Sequence, residues 1–264
     1  MQNILLKISY DGSDFCGWQR QDHEDKNASV RTVQQEIEDA LEKIHKQKTI
    51  LYGSGRTDSG VHALAQAANF YSPVPSMKPE NYIRALNSFL SKDIRILEAK
   101  SVESDFNARF SATSRTYRYF ISYGNAQNAA MTRYTWNVHH VPDMRNLNEM
   151  ASLLKGEMDC ASFTASGDES LSTFRYLEHA NFFMQKSFPD GKDLLVFEIQ
   201  ANAFLWKMVR TITGTLIDLD KNGKGLEDFR SIIEAKDRKK AGVTAPADGL
   251  FLYDISFDGE RRHV

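Results

Sequence analysis

No stretch of this 264-residue chain has an apolar run long enough to span a bilayer. Its start, Met1-Gln2-Asn3-Ile4-Leu5-Leu6-Lys7, lacks the basic, apolar and small-residue succession of a secretory signal. Both absences point to a cytoplasmic protein without membrane attachment. Cysteine is scarce. Cys16 and Cys160 lie far apart and match no CxxC spacing, so neither a disulfide framework nor a zinc site is expected. An excess of one sign of charge is also missing. With 33 basic and 35 acidic residues the net charge is −2, which on its face counts against a phosphate-rich partner. The balance is uneven along the chain, however. Arg109, Arg115, Arg118 and Arg133 lie close together, as do Lys236, Arg238, Lys239 and Lys240, whereas Glu36, Glu38, Asp39 and Glu42 spread acid over a helix surface. A basic cleft in a mildly acidic body stays open.

What is present is the composition of a globular protein. Hydrophobic residues make up 41% and charged residues 26%, in a length that holds one large domain or two small ones. Residues 4–10 alternate as a strand and end in the turn signal Asp11-Gly12. The polar stretch 22–29 reads as a solvent-facing loop. Thr32 and Gln35 form a capping box for a helix with the stripe Val33, Ile37, Ala40, Leu41 and Ile44. A glycine-rich loop, Gly53 to Gly60, leads into a strand over 61–71. Pro79 opens a second helix carrying Tyr82, Ile83, Leu86, Phe89 and Leu90, and a strand follows over 94–102.

The theme then repeats. A strand over 114–123 places Tyr117, Tyr119, Ile121 and Tyr123 on one face. A short helix spans 147–154, and strands over 173–186 and 192–201 flank the hairpin signal Phe188-Pro189-Asp190-Gly191. Leu205, Met208, Val209, Ile212 and Leu216 stand at helical spacing, a shorter helix covers about 226–236, and 250–257 closes as a strand. This order matches the split βαβ arrangement. The fold class expected is α+β, with two related ferredoxin-like halves, 1–105 and 106–264, sharing one mostly antiparallel sheet with helices on one face and a cleft on the other.

The segment richest in chemistry is Ser54-Gly55-Arg56-Thr57-Asp58-Ser59-Gly60-Val61-His62-Ala63. Two glycines frame an arginine and a carboxylate, and glycine permits close backbone approach to a ligand. The arginine favours an ionised carboxylate or holds a phosphate. A tight turn with a capping Asp is the plainer reading of Arg-Thr-Asp alone. No Gly-Lys-Ser/Thr ends the loop, so it is not a P-loop.

The whole string resembles the active-site motif of the TruA family of tRNA pseudouridine synthases, with Ser59 where that family has alanine. The resemblance extends along nearly the whole chain. Tyr10-Asp11-Gly12 with Phe15-Cys16-Gly17-Trp18-Gln19-Arg20-Gln21 looks like the family's first motif. Phe106-Asn107-Ala108-Arg109-Phe110-Ser111-Ala112-Thr113 and Arg115-Thr116-Tyr117-Arg118-Tyr119 look like the segment with its base-stacking tyrosine. Phe204-Leu205-Trp206-Lys207-Met208-Val209-Arg210 is similar to the helix presenting a second arginine. Ala235-Lys236-Asp237-Arg238, Ala245-Pro246-Ala247 and Gly249-Leu250-Phe251-Leu252 resemble the closing segment. Asn107 and Trp206 depart from the histidine and tyrosine common there.

The resemblance implies a cofactor-free, metal-free isomerase that converts uridine to pseudouridine in the tRNA anticodon stem-loop, at positions 38–40 of tRNA numbering. It implies Asp58 as the essential carboxylate, Arg210 as its partner and Arg56 as a phosphate contact. Tyr117 would stack on the flipped base near C5, and Leu250 would pack on its other side. It also implies a homodimer with one tRNA reaching across both subunits. The residues alone leave other readings in view. Tyr117 also reads as one more aromatic on a sheet face, and Leu250 as a core leucine. His139-His140 are neighbours that face opposite ways in a strand, a poor metal pair. His62 reads as a structural histidine. Lys236 to Lys240 suits a solvated helix end as well as RNA contact, and loop 22–29 is a second candidate for RNA contact. Three rivals remain: a relative of the same fold acting at other tRNA sites, an RNA-binding protein without catalysis, and a metal-dependent phosphoesterase. The last lacks enough ligands at coordinating spacing.

Overall fold

The structure, a computed structural model, describes residues 1–21, 30–188, 190–260 and 262; loop 22–29 and Pro189 of the expected hairpin turn lie outside them. The fold is mixed α/β with mostly antiparallel strand pairing. The chain forms two compact units. One comprises Met1–Thr113 with Phe251–Gly259, the other Ser114–Leu250 with Glu260–Val264.

In the first unit the elements are β1 (Gln2–Tyr10), α1 (Val33–His45), β2 (Tyr52–Gly53), β3 (His62–Ser72), α2 (Pro79–Phe89), β4 (Ile94–Val102) and the short α3 (Ala108–Ser111). β1 lies antiparallel between β4 and β3, with Ile4 opposite Phe70 and Leu6 opposite Ala68. The edge of β3 away from β1 takes two partners. β2 pairs antiparallel at Asn69 and Ala68, and a late strand pairs parallel at His62 and Ala63. Ile4, Leu6, Ile8 and Phe70 are fully buried, as are Ile37 and Leu41 of α1 and Tyr82 and Leu86 of α2. Each such side chain contributes about 1.5–3 kcal/mol of transfer free energy.

Two local expectations need correcting. Thr32 stands at the N-cap of α1, but its side chain makes no capping bond, and Thr32 Oγ1 is buried with no partner among the described residues. The expected reciprocal box is therefore not formed. In α2 Phe89 is half exposed, because Tyr82, Leu86 and then Leu90, beyond the helix end, carry the buried row. Phe89 lies instead under the Lys43 ammonium at 5.7 Å.

The second unit contains β5 (Ser114–Tyr123), β6 (Trp136–Val138), α4 (Met144–Ala151), β7 (Gly156–Asp159), β8 (Phe174–Lys186), β9 (Asp193–Ala201), α5 (Met208–Lys221) and α6 (Leu226–Ala235). Its sheet runs β5-β9-β8-β7, antiparallel throughout, with the three-residue β6 parallel to the end of β5. Tyr119 and Phe197 face each other across β5 and β9, and Phe182 stacks on Phe197 at 4.6 Å. Leu147 and Met150 of α4 and Met208, Ile212 and Leu216 of α5 complete this core, all fully buried. The last strand, β10 (Leu250–Ser256), begins in the second unit and passes to the first, where Phe251 and Leu252 pair with β3.

Candidate active site

The loop carrying Asp58 is fastened at nearly every residue beside it. Ser54 donates its N–H to Ala67 O at 2.8 Å and its hydroxyl to Gln66 Oε1 at 2.7 Å. The buried Gln66 amide in turn donates to Gly55 O at 3.1 Å. Thr57, directly before Asp58, is buried: its Oγ1 meets the Tyr10 hydroxyl at 2.8 Å and its carbonyl accepts the Trp18 N–H at 3.1 Å. Beyond Asp58, the Ser59 hydroxyl and the Gly60 N–H both donate to Phe15 O, at 3.1 and 3.3 Å. Each net hydrogen bond contributes about 1 kcal/mol, but losing one partner of a buried pair costs about 1–3.

The segment 10–18 is thus a frame for the loop, and its glycines are there for lack of room. A Cβ on Gly17 would lie 2.7 Å from Thr57 O, and Gly17 has φ +97°, in the left-handed region that glycine tolerates. A Cβ on Gly12 would collide with the Val61 carbonyl. The frame is itself tied down by Arg31, whose guanidinium lies 4.1 Å over the Phe15 ring and donates to Asp93 Oδ2 at 2.6 Å, Ser91 Oγ at 2.8 Å and Glu36. The Asp93 carboxyl is held below its usual value: desolvation alone would raise it, and the Arg31 and Ser91 hydrogen bonds outweigh that. Between these supports Asp58 is partly exposed and Arg56 exposed, on one loop.

His62 follows the loop at the start of β3. It is fully buried, takes the Gly12 N–H on Nδ1 at 3.0 Å and stacks on Phe251 at 4.5 Å. Asp11 Oδ1 lies 3.2 Å from the same Nδ1. The work of His62 is to join the frame to β3.

The other candidates belong to the second unit. Tyr117 lies on β5 opposite Ile199, partly exposed, and meets Phe204 edge-on at 5.1 Å. Arg210 sits in the first turn of α5. Its Nε donates to Ala245 O at 2.8 Å, while its own carbonyl accepts the Ala245 N–H at 3.1 Å. The segment around Ala245 is strapped down on both sides. Arg238 donates to Gly242 O and Thr244 Oγ1, each at 3.0 Å, and the Tyr119 hydroxyl donates to Pro246 O at 2.7 Å. Gly214 of α5 lets the strap close, since a Cβ there would strike Val243 O. Burial drives the Tyr119 hydroxyl far above its ordinary pKa, partly offset by Arg210. Leu250 is 5% exposed and donates its N–H to Ala247 O at 2.9 Å.

The basic run after α6 divides by role. Arg238 is a strap residue and Lys236 pairs with Asp159 at 3.3 Å, while Lys239 and Lys240 are exposed. His140 Nε2 lies 3.2 Å from Asp220 Oδ2. Asn107, the departure from histidine, caps α3 by accepting the Arg109 N–H at 3.0 Å. Among the described residues no group of His, Cys, Asp and Glu is arranged to hold a metal, and no helix is long and apolar enough to cross a membrane. Of the residues that fasten the loop, Gln66 is not singled out by the sequence, and Tyr10, Thr57 and Trp18 stand in its motifs without a role assigned to them. The one available signal was that the aromatic-glycine motif and the Arg56–Asp58 motif occur together.

Comparison with known proteins agrees over almost the whole chain. The family described as tRNA pseudouridine synthase matches residues 7–111 and 150–258. A tRNA pseudouridine synthase A of Treponema denticola is 53% identical over 97% of this chain and 93% of its own length. Proteins of the same name from Treponema pallidum (strain Nichols) and Brachyspira hyodysenteriae are 46% and 43% identical, covering 92% and 98% of this chain and 84% and 100% of their own. With the Asp58 loop and its frame intact, the chain belongs to the TruA family of tRNA pseudouridine synthases, isomerases that act on tRNA uridine.

Proposed function

We propose that this enzyme isomerises uridine to pseudouridine in the anticodon stem-loop of tRNA, at positions 38–40 of tRNA numbering, using Asp58 and no metal or organic cofactor. The observation that carries the reading is the Asp58 loop, a partly exposed carboxylate beside an exposed arginine on a rigidly fastened backbone. The target uridine leaves the RNA stack, because its N1 is otherwise out of reach. The N1–C1′ bond breaks, the uracil turns, C5 joins C1′, and the proton lost from C5 is balanced by one gained at N1. An ionised Asp58 serves this sequence either by attacking carbon and leaving again or by taking a proton. Arg210 holds Asp58 ionised and aimed, Arg56 takes the phosphate of the flipped nucleotide, Tyr117 stacks on the base near C5, and Leu250 covers its other side.

The chain order β1-α1-β2-β3-α2-β4, with β1 between β4 and β3 and β2 beyond β3, supports a ferredoxin-like description of the first half. The halves are read as 1–105 and 106–264. The enzyme works in the cytoplasm as a homodimer, recognising RNA by shape and phosphate contacts. Pseudouridine mapping on unmodified tRNA transcripts, with chelator and no added cofactor, tests the proposal. Conversion at 38, 39 or 40 that disappears in Asp58→Asn while RNA binding persists is the expected result. Conversion in Asp58→Asn would overturn the Asp58 assignment, and conversion confined to other positions would overturn the target.

A further inference from the structure

Immediately before α5 an aromatic ring is displayed at the surface by a built support. Trp206 is 44% exposed, whereas Trp18 is 2% exposed. A lone exposed aromatic means little, but this one is held from both sides of its backbone. Its N–H donates to Asp168 Oδ2, and its carbonyl accepts the Ala165 N–H at 3.0 Å. The 165–170 turn is itself closed by Ser170 N–H donating to Asp168 Oδ1 at 2.7 Å, and Gly167, at φ +90°, brings that turn against the indole edge. The next residue, Lys207, adopts φ +58°, a conformation rare outside glycine and costing about 1 kcal/mol. The result is an ammonium 4.5 Å from the centre of the indole ring. Strain of this kind persists where surrounding structure imposes it, and it concentrates at functional sites.

The same short segment serves two residues of the proposed site. Phe204, two residues earlier, supports the Tyr117 ring edge-on at 5.1 Å, and Arg210 follows three residues after Lys207. We infer that Trp206 is a stacking platform for an unpaired base of the RNA substrate, next to the nucleotide held at Tyr117, and that Lys207 takes the phosphate beside that base. A flat ring fixed in position and accompanied by a cation is what single-stranded nucleic acid binds, since every base has a π-face. The inference rests on the tRNA-modifying reading above and adds to it a second nucleotide position.

The test is tryptophan fluorescence during titration with an unmodified tRNA transcript, alongside steady-state kinetics. Wild-type emission is expected to be quenched on binding, and Trp206→Phe is expected to lose most of that quenching while keeping its affinity. Trp206→Ala is expected to raise KM for tRNA about 10-fold, within the range for one lost base stack, with kcat nearly unchanged. Lys207→Gln should flatten the salt dependence of binding. A fully paired RNA duplex should not quench. Quenching that survives in Trp206→Phe, or a Trp206→Ala variant with wild-type KM, overturns the platform while leaving the tRNA reading untouched. A wild-type protein that does not bind tRNA at all overturns the reading itself.

Discussion

The Tyr10 hydroxyl and Thr57 Oγ1 lie 2.8 Å apart, both residues buried, 47 positions apart in sequence and one residue short of Asp58. Through this contact the end of β1 fixes the backbone from which the carboxylate projects. Tyr10→Phe and Thr57→Val should each lower kcat about 10-fold and destabilise the fold by about 1–3 kcal/mol, the cost of leaving a buried hydroxyl without its partner. The double variant should be little worse than either single one, since both remove the same bond. Thr57→Ser should recover most of the loss. Additive effects in the double variant would show that the two residues act separately.

Arg31 is a second such node, further from the loop. Its guanidinium reaches Asp93, Ser91 and Glu36 while lying on Phe15, whose carbonyl receives Ser59 and Gly60. Arg31→Lys keeps the charge but loses the planar fork and the stacking surface. Because the ion pair is about one-third exposed, the expected loss is about 1–3 kcal/mol rather than the full cost of breaking a buried pair. Urea titration would measure it, and a midpoint equal to wild type would remove Arg31 from the frame.

His45 gives the fold a pH dependence. Its ring is buried between Thr49 Oγ1 at 2.7 Å and the Tyr82 hydroxyl at 2.9 Å, and burial lowers its pKa. In the unfolded chain the imidazole titrates near its ordinary value of about 6.5. Below that pH the unfolded state binds the proton more readily than the folded one, so stability falls as pH drops and is fully present above it. The urea midpoint should decline between about pH 7 and pH 5, and the slope should shrink in His45→Gln. An unchanged slope in that variant would assign the decline to other groups.

The two cysteines should behave oppositely. Cys160 is fully buried and its thiol is pushed up to about 12, chiefly by desolvation, whereas Cys16 is exposed. A thiol reagent at neutral pH should label one site on the native protein, Cys16, and both only in denaturant. Rapid native labelling at Cys160 would mean that the β7 end of the second unit opens readily.

The sequence made the regular elements legible where periodicity was strong. β4 and β5 fall at 94–102 and 114–123, as their alternation predicts. β2, β6 and β7, of two to four residues, are too short to carry a period. At the C-terminal end of α1 the buried position belongs to His45, with the expected Ile44 only partly buried, because the hydroxyls of Thr49 and Tyr82 make a polar ring acceptable in the core. Thr32 shows the reverse case, a capping sequence whose side chain does not cap. Around Asp58 the loop itself could be found from its residue types, but its frame could not. Tyr10 and Thr57, or Gly17 and Asp58, become neighbours only once β1 and β3 pair, and no local pattern encodes that.

The parallel pairing of Phe251 and Leu252 with His62 and Ala63 has a consequence for biosynthesis. The strand that begins where the Asp58 loop ends is completed by residues made almost a whole chain later. On the ribosome, the loop, its frame and both of its arginine and carboxylate side chains emerge long before β10 exists, and a nascent chain folds from its N-terminal parts onward. A polypeptide interrupted between residues 211 and 249 would carry Arg56, Asp58, Tyr117 and Arg210 and still lack the strand that pairs with His62 and Ala63. The His62–Ala63 end of β3, which follows the Asp58 loop, therefore gains its β10 partner only after residues 251 and 252 have been translated.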